Sequence, residues 1–115
     1  EGPFALIRGD VLYVTFSAAA VDESYVISYL KINRGEDLLN PKSWYKNNYP
    51  ILTARSVEGE YGTGHNAYVI DPQGRVWNTY HARFGATAPR SSAIRQVFFD
   101  VDGAPVLDVV VKGLG

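Results

Sequence analysis

The sequence predicts an all-β fold of two successive antiparallel four-stranded units, the rhythm of β-propeller blades. Nearly every segment reads as strand, and no helix of ordinary length can be placed. Each half of the chain opens with a hairpin signature, two β-rich runs around a turn containing glycine. Eight Tyr, five Phe and two Trp in 115 residues favour strand packing or a sugar-stacking surface. Two adjacent halves of a β-sandwich would give a similar rhythm.

The first unit begins with residues 4–8, a Gly9-Asp10 turn and residues 11–17. In residues 12–16 every side chain is apolar, aromatic or β-branched, so both faces of that strand are expected to be covered. A third strand spans 25–33, where Val26, Ser28 and Leu30 alternate with Ile27, Tyr29 and Lys31. Asn40 followed by Pro41 fits a helix cap and first position, enough for one turn. Residues 44–53 read as an outer strand interrupted by Pro50, and 54–64 as a glycine-rich loop.

The second unit repeats the order. Residues 67–70, a turn at Asp71-Pro72-Gln73-Gly74 and residues 75–82 form its hairpin, with 76–82 aligning on 12–18 at an offset of 64. Residues 85–92 are a loop, 93–100 a third strand, Asp102-Gly103 a turn and 105–111 the last strand. The division falls at 1–56 and 57–115.

Composition narrows the partners. Net charge is −1, which offers no basic field for nucleic acid or an anionic membrane. No apolar run is long enough for a bilayer-spanning helix. Without cysteine there is neither a disulfide framework nor thiolate chemistry. Without methionine the chain reads as a processed, trimmed or partial product.

Glu1 is the sharpest candidate for chemistry. Pro3 fixes φ and biases Gly2 toward an extended or turn conformation, presenting a carboxylate at a strand end. A lone acid there suits general acid catalysis; a solvated terminal glutamate is the plain alternative. The free α-amino group would favour the ionised form, and terminal fraying would spoil its aim. In Gly62-Thr63-Gly64-His65-Asn66, two glycines allow a sharp turn that delivers an imidazole to a crowded place, as a ligand or as a hydrogen-bonded turn histidine. No second ligand stands at zinc spacing nearby. His81 and Arg83 sit where a strand meets a loop, and Arg83, Arg90 and Arg95 put guanidinium groups on adjoining segments, suited to sugar hydroxyls or to plain solubility. Asp22 and Glu23 read as a solvated loop tip.

Taken in order, Glu1-Gly2-Pro3 before its strand and Gly9-Asp10 turn resembles the general-acid segment of glycoside hydrolase family 43. Asp22-Glu23-Ser24-Tyr25, Leu39-Asn40-Pro41-Lys42-Ser43-Trp44, residues 62–66, 71–74 and 80–83, Arg95-Gln96-Val97 and Asp102-Gly103-Ala104-Pro105 are similar to the family's later segments in the same order. The resemblance implies about two of five propeller blades, from the C-terminal part of an inverting hydrolase of plant cell-wall polysaccharide side chains. It implies an α-L-arabinofuranosidase first, with β-xylosidase or endo-arabinanase as alternatives. Glu1 would be the general acid, His65 the channel histidine that in several members holds calcium, and Arg95 the last-blade arginine facing the pocket. The base and pKa-modulating aspartates of the family belong to earlier blades, and neither Asp22 nor Asp100 sits in a matching motif. Ala67 replaces a small hydroxyl residue common in the family, and the tail from Val109 matches nothing.

This portion alone is therefore expected to be inactive, needing upstream blades or self-association, with an arabinose- or xylose-containing oligo- or polysaccharide as partner. No cofactor is required for the chemistry. A secreted or periplasmic location is favoured. A non-catalytic sugar-binding or self-associating two-blade module is the reading from another class. Either way, two blades leave unpaired edges and uncovered apolar faces.

Overall fold

Both hairpin openings grow into four-stranded meanders. The computed structural model describes residues 1–19, 25–85 and 87–109. In it β1 (Phe4–Arg8), β2 (Val11–Ala18), β3 (Val26–Asn33) and β4 (Tyr45–Lys46) form one sheet in chain order. A second sheet runs β5 (Tyr61–Ile70), β6 (Val76–Arg83), β7 (Arg90–Phe99) and β8 (Pro105–Val106). All neighbouring strands are antiparallel. Among the described residues there is no α-helix, only a 3-10 turn at Pro41–Ser43. The turn is capped as its sequence predicts, Asn40 Oδ1 accepting from the Lys42 amide at 3.0 Å.

The hairpin turns follow local chemistry. Gly9 takes φ of +57°, the positive value that a two-residue connection needs and that glycine adopts without strain. At the matching turn one carboxylate organises everything. Asp71 Oδ1 accepts from the amides of Gln73 and Arg75, while Oδ2 accepts from Arg75 Nε at 2.7 Å and Trp77 Nε1 at 2.9 Å. These donors, led by the Trp77 indole, lower its pKa to about 2.

Four expectations need correction. The outer strand 44–53 shrinks to Tyr45–Lys46, because beyond it the chain bows away and returns through an isolated Ile27–Leu52 bridge; Pro50, without an N–H, lies in the bowed segment. Residues 61–64 of the expected 54–64 loop are strand: β5 starts at Tyr61 and carries register shifts on either side of Gly64. Strand β7 starts at Arg90 rather than 93, and β8 covers only Pro105–Val106; positions 110–111 of the last strand expected lie outside the described residues. Finally, Val11 and Val76 open β2 and β6, an offset of 65 rather than 64. Buried Tyr13, Thr15 and Ser17 thus match buried Asn78, Tyr80 and Ala82. A slip of one residue exchanges the two faces of a strand, so the offset of 64 equated inward with outward side chains.

The core lies between the sheets. Tyr13, Ile27 and Leu52 meet Val76, Tyr80 and Leu107 in one buried cluster, each large apolar side chain contributing about 1.5–3 kcal/mol. A polar seam crosses the same interface. Tyr68 Oη donates to Thr15 Oγ1 at 3.1 Å, Thr15 Oγ1 to Asn66 Oδ1 at 3.2 Å, and Asn66 Nδ2 to Asn78 Oδ1 at 2.9 Å. The covering expected on both faces of β2 is found on one: Tyr13, Thr15 and Ser17 are buried, while Leu12, Val14 and Phe16 on the other face are only half-buried. On the face of the first sheet turned away from the second, Ala5, Ile7, Leu12, Val14, Phe16 and Leu30 are exposed or half-buried. That face is largely apolar and, among the described residues, open except at Ile32 and Ser28, which are buried.

Candidate functional site: a carboxylate and two imidazoles at one sheet end

Glu1 is not a frayed end, contrary to the expectation for a first residue. Its α-ammonium donates to Ser17 O and its carbonyl accepts from the Ser17 amide, both at 2.7 Å. Counting from the Phe4–Thr15 pair, the Glu1 side advances three residues while β2 advances two. Gly2, at φ +58°, absorbs the extra residue as a bulge does. The Gly-Pro corner therefore extends the β1–β2 ladder to the first residue.

The carboxylate is met by a phenol. Tyr25 Oη donates a hydrogen bond to Glu1 Oε1. This bond is the main cause lowering the Glu1 pKa, opposed by desolvation and supported by the α-ammonium, His65 and His81. The Tyr25 phenol is itself pushed up, first by burial and then by the bond to Glu1. Its ring is buried and stacks on His81, with centroids 5.4 Å apart and planes 8° from parallel.

Gly64 makes room for that ring. A Cβ there would lie 2.3 Å from Tyr25 Cε2, inside any real contact distance. The glycines of residues 62–66 thus serve a bulged strand and a close approach, not only a turn. His65 follows with φ of +48°, a left-handed conformation unusual for a non-glycine residue. Its amide donates to Ser17 Oγ at 2.6 Å, and its imidazole lies over Gly2, where a Cβ would stand 3.0 Å from Nδ1. His81 is partly buried, and its pKa is lowered first by that burial, then by Arg90 and His65. On the far face of β6 and β7, an open concavity is lined by His65, Thr79, His81, Ser92 and Ile94 among others.

The structure therefore gathers Glu1, His65 and His81 around Tyr25 and Ser17. It engages the two arginines elsewhere. Arg83 Nη1 donates to Ala88 O at 3.2 Å and ties down its own loop. Arg95 Nη2 donates to Glu60 Oε2 at 2.8 Å, and Tyr80 Oη to Glu60 Oε1 at 2.5 Å. Asp100 is a turn acceptor for the amides of Asp102 and Ala104. Asp22 and Glu23 lie outside the described residues. Among the described residues no group of three or more His, Cys, Asp or Glu is arranged to hold a metal ion, so the donor set present does not by itself make a calcium site at His65.

Sequence reasoning missed Ser17 and Tyr25 as site residues, and Glu60 as the buried partner that engages Arg95 away from the site. Ser17 was within reach of register counting across the first hairpin. Nothing local distinguishes Tyr25 from the chain's other tyrosines, or Glu60 from its other acids.

Two antiparallel four-stranded sheets, each opened by a hairpin and packed face to face, are blades of the β-propeller class. The family model for glycosyl hydrolases family 43 matches residues 1–105, and the chain belongs to that family. It is 28% identical, over 96% of its length, to an extracellular exo-α-(1→5)-L-arabinofuranosidase of Streptomyces avermitilis, of which it covers 25%. It is 30% identical, over 91% of its length, to α-L-arabinofuranosidase B of Pyricularia oryzae, of which it covers 24%. The crystal structure of an α-L-arabinofuranosidase from Lactobacillus brevis superposes with a TM-score of 0.84 at 27% identity, covering 96% of this chain and 38% of that one. The chain thus spans about a quarter of the length of these two curated relatives.

Proposed function

We propose that this chain is the acid-bearing part of an inverting glycoside hydrolase that removes α-L-arabinofuranosyl units from plant cell-wall polysaccharide. The observation that carries the reading is the Glu1 carboxylate, held at a sheet end by Ser17 and Tyr25 in a member of family 43. The named arabinofuranosidases among its relatives favour arabinose over xylose. The Streptomyces avermitilis relative, and another from Streptomyces chartreusis, are described as extracellular, which supports secretion.

In this mechanism Glu1 protonates the leaving glycosidic oxygen. A carboxylate base on other blades activates water on the opposite face of the sugar, at about 6.5–9.5 Å from the acid. His81 and His65 border the space beside Glu1 and are assigned to the sugar ring. Arg83 and Arg95 reach sugar only through guanidinium N–H groups not used by Ala88 and Glu60. Calcium near His65 would draw its other ligands from water or other blades, and no step is routed through it. The apolar far face of the first sheet is the seat for a preceding blade, or for a second copy when that blade is absent.

The test is a polypeptide in which family blades precede Glu1, assayed on arabino-oligosaccharide with NMR of the anomer first released. The expected product is the inverted anomer, with Glu1→Gln slower by about 10²–10⁴-fold. A retained anomer contradicts the mechanism, and an unchanged rate contradicts the acid.

A further inference from the structure

We propose that Tyr25 is the positioning residue of the acid, aiming the Glu1 carboxylate through its hydroxyl while Gly64 and the His81 ring fix the phenol. The inference rests on Glu1 being the acid, and goes beyond it by naming what holds that acid within this chain.

Two contacts and the burial they produce determine where the Tyr25 hydroxyl sits. The ring is buried, it stacks parallel on His81, and it occupies the volume that any side chain at Gly64 would need. A buried phenol held between two neighbours has little rotational freedom to lose when it donates a hydrogen bond, which is the condition for holding a reacting group in one geometry. Glu1 itself is exposed. Its backbone is fixed by Ser17, but its side chain carries rotatable bonds that the ladder leaves free. Tyr25 is the side chain that fixes them.

Proton inventory supports the assignment. Among the described residues, the groups acting on Glu1 are the Tyr25 hydroxyl, its own α-ammonium, His65 from β5 and His81 from β6. Arg90 from β7 acts on the Tyr25–His81 stack. Tyr25 is the largest of the influences favouring the carboxylate. Removing its hydroxyl therefore raises the Glu1 pKa. A general acid works in its protonated form, and activity is lost as pH rises through its pKa. Tyr25→Phe consequently moves the alkaline limb of the kcat profile to higher pH. At the same time kcat falls by about tenfold, because the proton is no longer aimed.

The experiment has two arms. In the chain itself, carboxyl ¹³C NMR follows Glu1 in the wild type, Tyr25→Phe and Gly64→Ala, with amide dispersion reporting folding. A higher Glu1 midpoint in both variants is expected, as is a wild-type Tyr25 Cζ resonance that moves with the Glu1 midpoint. The wild-type observation needs no variant to fold. A Cζ resonance indifferent to Glu1, or an unmoved midpoint in a folded Tyr25→Phe, overturns the proposal. In the polypeptide carrying upstream blades, the kcat profile of Tyr25→Phe is compared with Glu1→Gln. If Glu1→Gln keeps full activity, the acid assignment fails, whatever the NMR coupling. If Glu1→Gln is crippled and Tyr25→Phe leaves the alkaline limb in place, the positioning role alone fails.

Discussion

Each blade contains a tyrosine that donates to a glutamate, and the two pairs are built to opposite ends. In the first, Tyr25 meets Glu1, a carboxylate exposed to solvent with two imidazoles for neighbours. In the second, Tyr80 meets Glu60, which is buried and has its other oxygen taken by Arg95. A buried carboxylate bound on both oxygens, one of them by a guanidinium, has no free oxygen to offer and no room to receive a substrate. A solvent-exposed carboxylate that, among the described residues, is held on one oxygen can exchange a proton with a leaving group. The same two residue types thus make a brace in one blade and the proposed acid in the other. The difference lies in burial and in the third partner.

The comparison breaks most severely at Glu60. Glu60→Ala strands the Arg95 guanidinium and the Tyr80 hydroxyl together. Arg95 keeps some solvent, its side chain being 20% exposed, so a loss of about 3 kcal/mol is expected, at the lower end for a broken buried pair. Urea unfolding measures it. Little change in midpoint would mean that Glu60 is not a brace. Tyr80→Phe removes one hydrogen bond to a charged group, a loss of about 1.5–3 kcal/mol. It carries a pH signature as well. Burial first, and then Glu60, raise the Tyr80 pKa to about 12, above its value of about 10 in an unfolded chain. Its contribution is therefore complete below pH 10 and is lost as pH rises from about 10 to about 12. Tyr80→Phe should flatten the stability curve in that window.

Gly64→Ala probes the other pair, forcing a methyl against the Tyr25 ring at a cost of about 1–3 kcal/mol. It should perturb Glu1 and leave the alkaline window of Tyr80 intact. The smallest effect is expected at the hairpin turn that belongs to neither pair. The Asp71 pKa is depressed to about 2 by Trp77 and Arg75, below about 3.9 in the unfolded chain. Its contribution is present above about pH 4 and fades as pH falls toward 2. Asp71→Asn should remove that acid dependence without touching either tyrosine.

What could be read from the sequence was local. Gly9, the Asp71 turn and the Asn40–Pro41 cap follow from backbone rules spanning a few residues, and all three were legible. The hairpin rhythm gave the two blades, and ordered motifs gave the family. The repeat offset was misjudged by one residue because residue identities carry no parity, whereas burial does. Strand β4 came out shorter because an aromatic run promises pairing but not a partner edge to pair with. Tyr25 and Glu60 stayed hidden for a different reason. Their contacts span 24 residues to Glu1 and 35 to Arg95, each joining distant segments of one blade that no local window brings together. Gly64 is the instructive intermediate. Its glycine character was visible, but the reason for it, a tyrosine ring from the other blade, was not.

The most direct test of the central claim is leaving-group dependence in a polypeptide that carries upstream blades. Hydrolysis of arabino-oligosaccharide is compared with that of a dinitrophenyl arabinofuranoside, whose leaving group is acidic enough to depart without a proton. For Glu1→Gln the account predicts a loss of about 10²–10⁴-fold on the oligosaccharide and a far smaller loss on the dinitrophenyl substrate. Glu60→Gln should slow both equally through stability alone. Equal losses on the two substrates for Glu1→Gln, or selective loss for Glu60→Gln, would contradict it.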